Sequence, residues 1–272
     1  LPQKTIIEPT KGWIRLRLKE LMEYRELLYF LTWRDIKVRY KQTLFGVLWI
    51  WAQPLATMTI FTFVFHKLAK ISSGNVPYPI FALSGIIAWN YFSSSLSRST
   101  NSVVGSSSLI TKVYFPRLII PISAVLSGWV DFGVASILLV VMMFIYQMPV
   151  SVNIIFAPTF LALAMMVALG VGLWLSPLYV RYRDIGYILP FLIQFWMFLT
   201  PVIYPTRLIP ESLQWIYGLN PMMGVVEGFR WSLFGTPLPI KAFFVSLAAA
   251  WILSISGAVF FQRMERKFAD LI

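Results

Sequence analysis

Cysteine is absent from these 272 residues, and histidine occurs once, as His66. The first absence excludes disulfides, thiolate metal sites and cysteine nucleophiles. One histidine without cysteine cannot build a familiar zinc site, and His66, at the end of an apolar run, reads as an interfacial residue. No Gly-Lys dipeptide occurs, so there is no Walker A loop to cradle phosphates, and the chain cannot be its own ATPase. No Ser-His-Asp set assembles around the lone histidine. An intramembrane enzyme would need Asp131 or Glu227 to act almost unaided. Charge is scarce as well, at 12% of residues, against about 25% in ordinary soluble domains.

What fills the space is apolar: 58% of residues are hydrophobic and mean hydropathy is +0.73. A soluble core of this length cannot hide that much apolar surface, so the expected solvent is lipid. Six candidate spans follow, at residues 44–65, 79–97, 118–147, 150–180, 185–206 and 242–262; Asp131 in the third is the one charge among them. Each reaches or approaches the ~20 residues a helix needs to cross. Pro54, Pro121, Pro158, Pro177, Pro190 and Pro201 predict kinks or span ends. No strand alternation recurs at barrel spacing, so the expected fold class is an all-α integral membrane protein.

The net charge of +12 is distributed unevenly. Lysine and arginine crowd the segment before the first span (including Arg34, Lys37, Arg39 and Lys41), the loop after the second (Arg98, Lys112, Arg117), the loop after the fourth (Arg181, Arg183) and the C-terminus. Positive loops stay cytoplasmic, which places both termini and both of those loops inside. The charge is thus a topology signal, and no nucleic-acid partner is expected. The chain opens on Leu1 and an initiator Met is expected to be missing. Its polar, basic start shows no early apolar core before a small-residue cleavage site, so no cleavable signal peptide is expected.

Before the first span, Trp13, Ile14, Leu18 and Leu21 recur at helical spacing, and so do Trp33, Ile36, Tyr40 and Leu44, with Arg34, Lys37 and Lys41 opposite. Asp35 and Arg39 stand i,i+4 in the favourable order. These read as amphipathic interface helices, either passive anchors or part of a cytoplasmic mouth. In the first cytoplasmic loop, Leu109, Ile110, Val113 and Tyr114 share helical spacing, Lys112 and Arg117 flank them, and Pro116 stops the helix. So short a helix is unstable alone; it either docks on another protein or lies on the membrane surface. In the outer segment 207–238, Asn220-Pro221 marks a break, the flanking pieces are too short to cross, and Glu227 and Arg230 can pair at i,i+3. Asp131 sits near mid-span with no intramembrane Lys, Arg or His partner in view. It reads as a proton or ion site or as a structural hydrogen-bonding group. Aromatics reach 17%. Trp49, Trp51, Trp89, Tyr91 and Trp251 suit interface belts. Phe195, Trp196 and Phe198 fall mid-span, as sugar-stacking faces or as packing and lipid contacts.

Four blocks now carry a resemblance: ELLYFLTWRDIKVRYKQTLFGVLWIWAQPL (26–55), SSLITKVYFPRLIIP (107–121), YVRYRDIGYILPFLIQFWMFLTPVIYP (179–205) and LNPMMGVVEGFRWSLFG (219–235). Together, in order and over nearly the whole chain, they resemble the permease subunit of bacterial type-2 ABC exporters of O-antigen, capsule and teichoic acid. The resemblance implies a permease homodimer with two separate ABC ATPase subunits, which bind ATP and Mg; no cofactor is expected in this chain. It implies a 1–43 gate segment and a 44–272 transmembrane domain with loops 98–117, 179–187 and 207–238. Residues Leu109, Ile110, Thr111, Lys112, Val113, Tyr114, Phe115, Pro116 and Arg117 correspond to the main coupling helix, and Arg181, Arg183 and Asp184 to a second contact. Tyr24, Trp33, Arg34, Lys37, Arg39 and Tyr40 correspond to the cytoplasmic gate. Asn220, Pro221, Glu227 and Arg230 correspond to the re-entrant outer gate helices. The first and fifth spans would line a channel at the dimer interface, with Trp49, Phe195, Trp196 and Phe198 as its aromatics. The implied substrate is an undecaprenyl-diphosphate-linked glycan crossing the inner membrane. A teichoic acid, drug or lipid exporter, a proton-coupled carrier using Asp131, and an intramembrane enzyme are the alternatives.

Overall fold

The computed structural model describes residues 18–41, 48–265 and 268. The start of the first amphipathic pattern (13–17), Leu44 and the head of the first apolar segment lie outside them. Every regular element among the described residues is helical. In chain order they are α1 (Leu18–Glu23), α2 (Arg25–Tyr40), α3 (Leu48–Phe61), α4 (Tyr78–Gly105), α5 (Ser107–Lys112), α6 (Ile119–Leu126), α7 (Gly128–Ile145), α8 (Ala157–Arg181), α9 (Ile185–Phe198), α10 (Glu211–Tyr217), α11 (Pro221–Phe234) and α12 (Ile240–Glu265). A π-helical stretch, Thr62–Leu68, continues α3, and a 3₁₀ turn, Val152–Phe156, leads into α8.

Among the described residues, four helical stretches are long and apolar enough to cross a membrane: Leu48–Leu68, Ile119–Ile145, Val152–Arg181 and Ile240–Glu265. The two other expected spans differ from the sequence reading. The fifth, read as 185–206, is an apolar helix of 14 residues that stops at Phe198. Pro201 cannot continue it, and the chain turns instead. The second is α4, whose 28 residues include Asn90, Ser93, Ser94, Ser97, Arg98 and Asn101.

α4 is the axis of the bundle. It packs against α3, α6, α7, α8 and α11, and α8 packs in turn against α12. Ile80, Leu83, Phe92 and Leu96 on α4 are fully buried. The outside is apolar too: Phe144, Ile155, Trp251 and Ile252 are all exposed. So many large apolar side chains on the outside are what lipid contact requires. A second, smaller core gathers one end of the bundle, joining Leu31 of α2, Ile110 of α5, Phe115, Val180 at the end of α8, and Phe261 and Phe268. This cluster brings the N-terminal helix, both loops read as cytoplasmic and the C-terminal helix to one end.

Candidate coupling surface and polar junction

α4 ends at Gly105, and only Ser106 separates it from α5, so the short helix rides on the central one. The expected apolar face of Leu109, Ile110, Val113 and Tyr114 does not form as one surface. α5 stops at Lys112 and Val113 is extended, which rotates the following side chains out of helical register. Ile110 and Phe115 point into the second core, Phe115 being 5% exposed. Thr111, Lys112, Val113 and Tyr114 form the exposed tip, and Tyr114 is 70% exposed. Leu109 is half-buried. Pro116 is half-buried after the tip, and Arg117 donates to the Glu265 carbonyl while its guanidinium lies 5.9 Å from the Phe268 ring. The segment is thus a loop braced underneath by Phe115 and Arg117, with one large aromatic standing free. Residues 181–184 form a second exposed patch: Arg181 lies over the Tyr182 ring at 5.1 Å and Arg183 over Tyr179 at 6.0 Å, beside exposed Asp184.

α2 lies along α6, with Leu31 as its buried contact. Tyr24 precedes it, half-buried, in non-helical conformation. Exposed Trp33 carries Lys37 at 5.5 Å from its ring. The i,i+4 pair expected of Asp35 and Arg39 is replaced. Asp35 pairs with its neighbour Arg34, at 2.9 Å, and Arg39 reaches across to Asp131 on α7.

Asp131 is therefore not partnerless, which corrects the sequence reading. Its Oδ2 accepts from Arg39 and, at 3.3 Å, from Nη1 of Arg98 on α4; its Oδ1 accepts from the Tyr40 hydroxyl. Arg39 also donates to the Ser127 carbonyl and to its Oγ, at 3.3 and 3.0 Å. Arg98 donates to the Ala124 carbonyl and to Ser95 Oγ, both at 3.2 Å. Burial and the adjoining carboxylate push the Tyr40 hydroxyl up to about 12, so it stays a donor. Gly128 makes the room: a Cβ there would stand 2.3 Å from Arg98 Nη2. No sequence signal marks this junction, because it exists only where α2 folds back along α6 and brings Arg39 and Tyr40 to the α6–α7 corner.

Beside the junction lies a cleft of about 480 Å³ between α3, α4, α7 and α9. Trp49, Gln53, Asn90, Ser94, Ser97 and Asp131 are among its lining residues. The lining is mixed: these polar groups and the Trp49 face share it with Ile50, Ile87, Phe132 and Ile193, and the apolar part is the larger. Of the proposed channel aromatics, Trp49 is in this wall, while Phe195 and Phe198 are exposed on α9. Trp196 is half-buried, donates from Nε1 to Asn220 Oδ1 at 2.8 Å and meets Phe92 edge-on at 5.0 Å.

Asn220 ties the end of α9 to the start of α11. Its Oδ1 accepts from the Met222 amide at 3.0 Å as well as from Trp196, and its Nδ2 donates to the Leu199 carbonyl and Thr200 Oγ1, both at 3.0 Å. It is an N-cap with Pro221 in the first turn, where the missing N–H costs nothing. Gly235, left-handed at φ +66°, closes the same helix. Asn220→Ala is expected to cost about 1–2 kcal/mol from the lost cap alone. Asn220→Asp keeps the accepting oxygen and should fall between the two in a detergent thermal-unfolding series. Downstream, Glu227 and Arg230 form the expected i,i+3 pair at 3.2 Å, fully inside the bundle.

The ABC-2 type transporter profile matches residues 26–234. The chain is 28% identical over 259 residues to an O-antigen export system permease protein RfbA of Klebsiella pneumoniae, covering 94% of this chain and 99% of that protein. To the protein of the same name from Myxococcus xanthus it is 27% identical over 263 residues, 95% of this chain and all of that one. To the polysialic acid transport protein KpsM of Escherichia coli it is 24% identical over 196 residues, covering 71% and 76%. The matched region begins on α2, takes in the α5 tip and the Asp131 junction, and ends with α11; the chain belongs to the ABC-2 type transporter family and is a multi-pass membrane transport subunit.

Proposed function

We propose that this chain is the membrane subunit of an ATP-driven exporter that carries undecaprenyl-diphosphate-linked polysaccharide, O-antigen in the first instance, from the cytoplasm across the bacterial inner membrane. The supporting observation is similarity over nearly the whole length to two O-antigen export permeases. In this reading two copies pair to enclose the channel and two ATPase subunits bind ATP and Mg. Six helices cross, α4 and α9 being the second and fifth, and both termini face the cytoplasm. Arg181, Arg183, Asp184 and the 111–114 tip meet the ATPases. α2 borders the cytoplasmic mouth, and the α10–α11 segment with Asn220, Pro221, Glu227 and Arg230 borders the outer one. The cleft beside Trp49 belongs to the glycan path. A teichoic acid or drug exporter uses the same machinery and differs only in substrate.

The test is capture of the chain from native membranes in mild detergent, with mass spectrometry of stoichiometric partners. An ATPase carrying a Walker A loop should co-purify. Tyr114→Ala should weaken that association by the ~2 kcal/mol or more of an interface hot spot. Phe115→Ala is a poor probe because its ring packs inside this chain. A chain that purifies without a nucleotide-binding partner would end this reading.

A further inference from the structure

The Asp131 carboxylate, on α7, joins α2 and α4, and no chain segment joins these three helices directly. Arg98 stands on α4 about two turns, or ~10 Å, before the helix gives way to the α5 tip. Arg39 and Tyr40 are the last two residues of α2. Asp131 is in the first turn of α7, and the Ser127 and Ala124 carbonyls fix both guanidinium groups to the α6–α7 corner. We infer that Asp131 is a positioning residue that transmits displacement of the α5 tip, through α4 and Arg98, to the α2 helix. The inference rests on the exporter reading, in which α5 receives the force.

The chemistry favours a rigid joint over a passive contact. Both arginines bond the same oxygen, Oδ2, so neither can move without disturbing the other's partner. The three side chains are each about three-quarters buried, at 27%, 24% and 23% exposure. A charge pair at that depth is screened far less than a surface pair. Two cations share one anion, so neutralising Asp131 does more than delete a bond: it leaves two guanidinium groups facing each other. Gly128 holds the space that lets Arg98 reach the carboxylate. The competing route is the apolar packing of α2 on α6 through Leu31. That route needs none of these charges.

The experiment uses the whole complex. Cells lacking the native copy express Arg39→Gln, Arg39→Lys, Gly128→Ala or Asp131→Asn with the ATPase subunits. The complex is purified through the ATPase and its ATP turnover measured in phosphatidylethanolamine–phosphatidylglycerol vesicles. Export is read in cells as undecaprenyl-linked glycan left in the inner membrane. Arg39→Gln and Gly128→Ala break the joint from opposite sides and leave Asp131 in place. Both should retain the ATPase and hydrolyse ATP near the parent rate, while export per ATP falls by about tenfold, within the span of ordinary coupling energies. Arg39→Lys keeps the charge beside Asp131 but not the fork and should restore part of it. If Asp131→Asn does not fold, those two variants still decide.

Unchanged export per ATP in Arg39→Gln and Gly128→Ala would overturn the joint and leave the exporter reading intact, with packing as the route. Export and ATP turnover falling in parallel, unrescued by lysine, would make the cluster merely structural. Loss of export in Asp131→Asn alone would assign the carboxylate a role of its own and overturn the joint. An unmodified chain that captures no ATPase would instead bring down the exporter reading and the joint with it.

Discussion

Arg230→Ala should leave little folded protein at temperatures where the parent chain is stable. Arg230 is 1% exposed and its guanidinium is the hub of the α11 region. Nη1 donates to the Pro201 carbonyl at 2.5 Å and to Glu227 Oε1 at 3.2 Å; Nη2 donates to the Val202 and Phe81 carbonyls at 2.7 and 3.0 Å. The Phe81 ring lies 3.5 Å away. These bonds satisfy the backbone where the chain turns after α9, a place with no helix to do so. Alanine would strand the Pro201 and Val202 carbonyls and a buried carboxylate, while the Phe81 carbonyl keeps its bond from Ser84 Oγ at 2.9 Å. Removing one partner of a buried pair costs about 3–5 kcal/mol, a large share of any domain's stability. Lysine has no planar fork and should recover only part of this. Glu227→Gln should be milder, because Nη1 keeps the Pro201 carbonyl. Fluorescence-detected size exclusion after a temperature ramp reads all three. An Arg230→Met chain as stable as the parent would show that the carbonyls find other donors and that the argument is wrong.

Gly257→Val should be nearly as damaging, for a reason that involves no charge. At Gly257 on α12 a Cβ would stand 2.2 Å from the carbonyl oxygen of Gly170 on α8, and a Cβ on Gly170 would stand 2.8 Å from the Ser254 backbone. Both obstacles are main chain, so no rotamer change relieves them. The two helices touch backbone to backbone, and Ser254 Oγ seals the contact by donating to the Met166 carbonyl at 2.9 Å. Close approach through small residues is how helices gain packing energy in lipid, where no hydrophobic drive separates them from the solvent. Alanine alone should cost about 1–3 kcal/mol by overpacking, and valine more. Gly133→Ala on α7 is the matched control, since its Cβ would meet nothing within 4 Å. That change should be neutral or stabilising by up to ~1 kcal/mol through helix propensity alone. The order of detergent melting temperatures across the three variants checks the claim; equal loss at Gly133 and Gly257 would refute it.

The pattern of what was legible follows the range of the forces involved. Long uncharged runs, prolines and the uneven lysines and arginines are local or additive signals. The all-helical membrane class, the break at Asn220-Pro221 and the Glu227–Arg230 pair were therefore readable from sequence, because one helix face is enough to bring i and i+3 together. The same rule misled at Arg39. It offered Asp35 four residues away, while the observed partner, Asp131, is 92 residues away. Spacing likewise grouped Ile110 with Val113 and Tyr114, assuming that the helix continued. It ends at Lys112, so Phe115 turns inward and Tyr114 outward. Trp196 reads from sequence as a sugar-stacking face or as a packing residue, and nothing nearby in sequence announces that its indole N–H donates to Asn220, 24 residues on.

The sequence by itself determined the solvent, the helical class and which stretches lie near which end, because burying ~20-residue apolar runs in lipid outweighs any local preference. Tertiary structure alone decided which polar groups are paired across helices. A buried charge takes whatever partner satisfies it in a dry interior, and that partner is chosen by the fold-back of α2 and the room left at Gly128, neither of which has a signature in neighbouring residues.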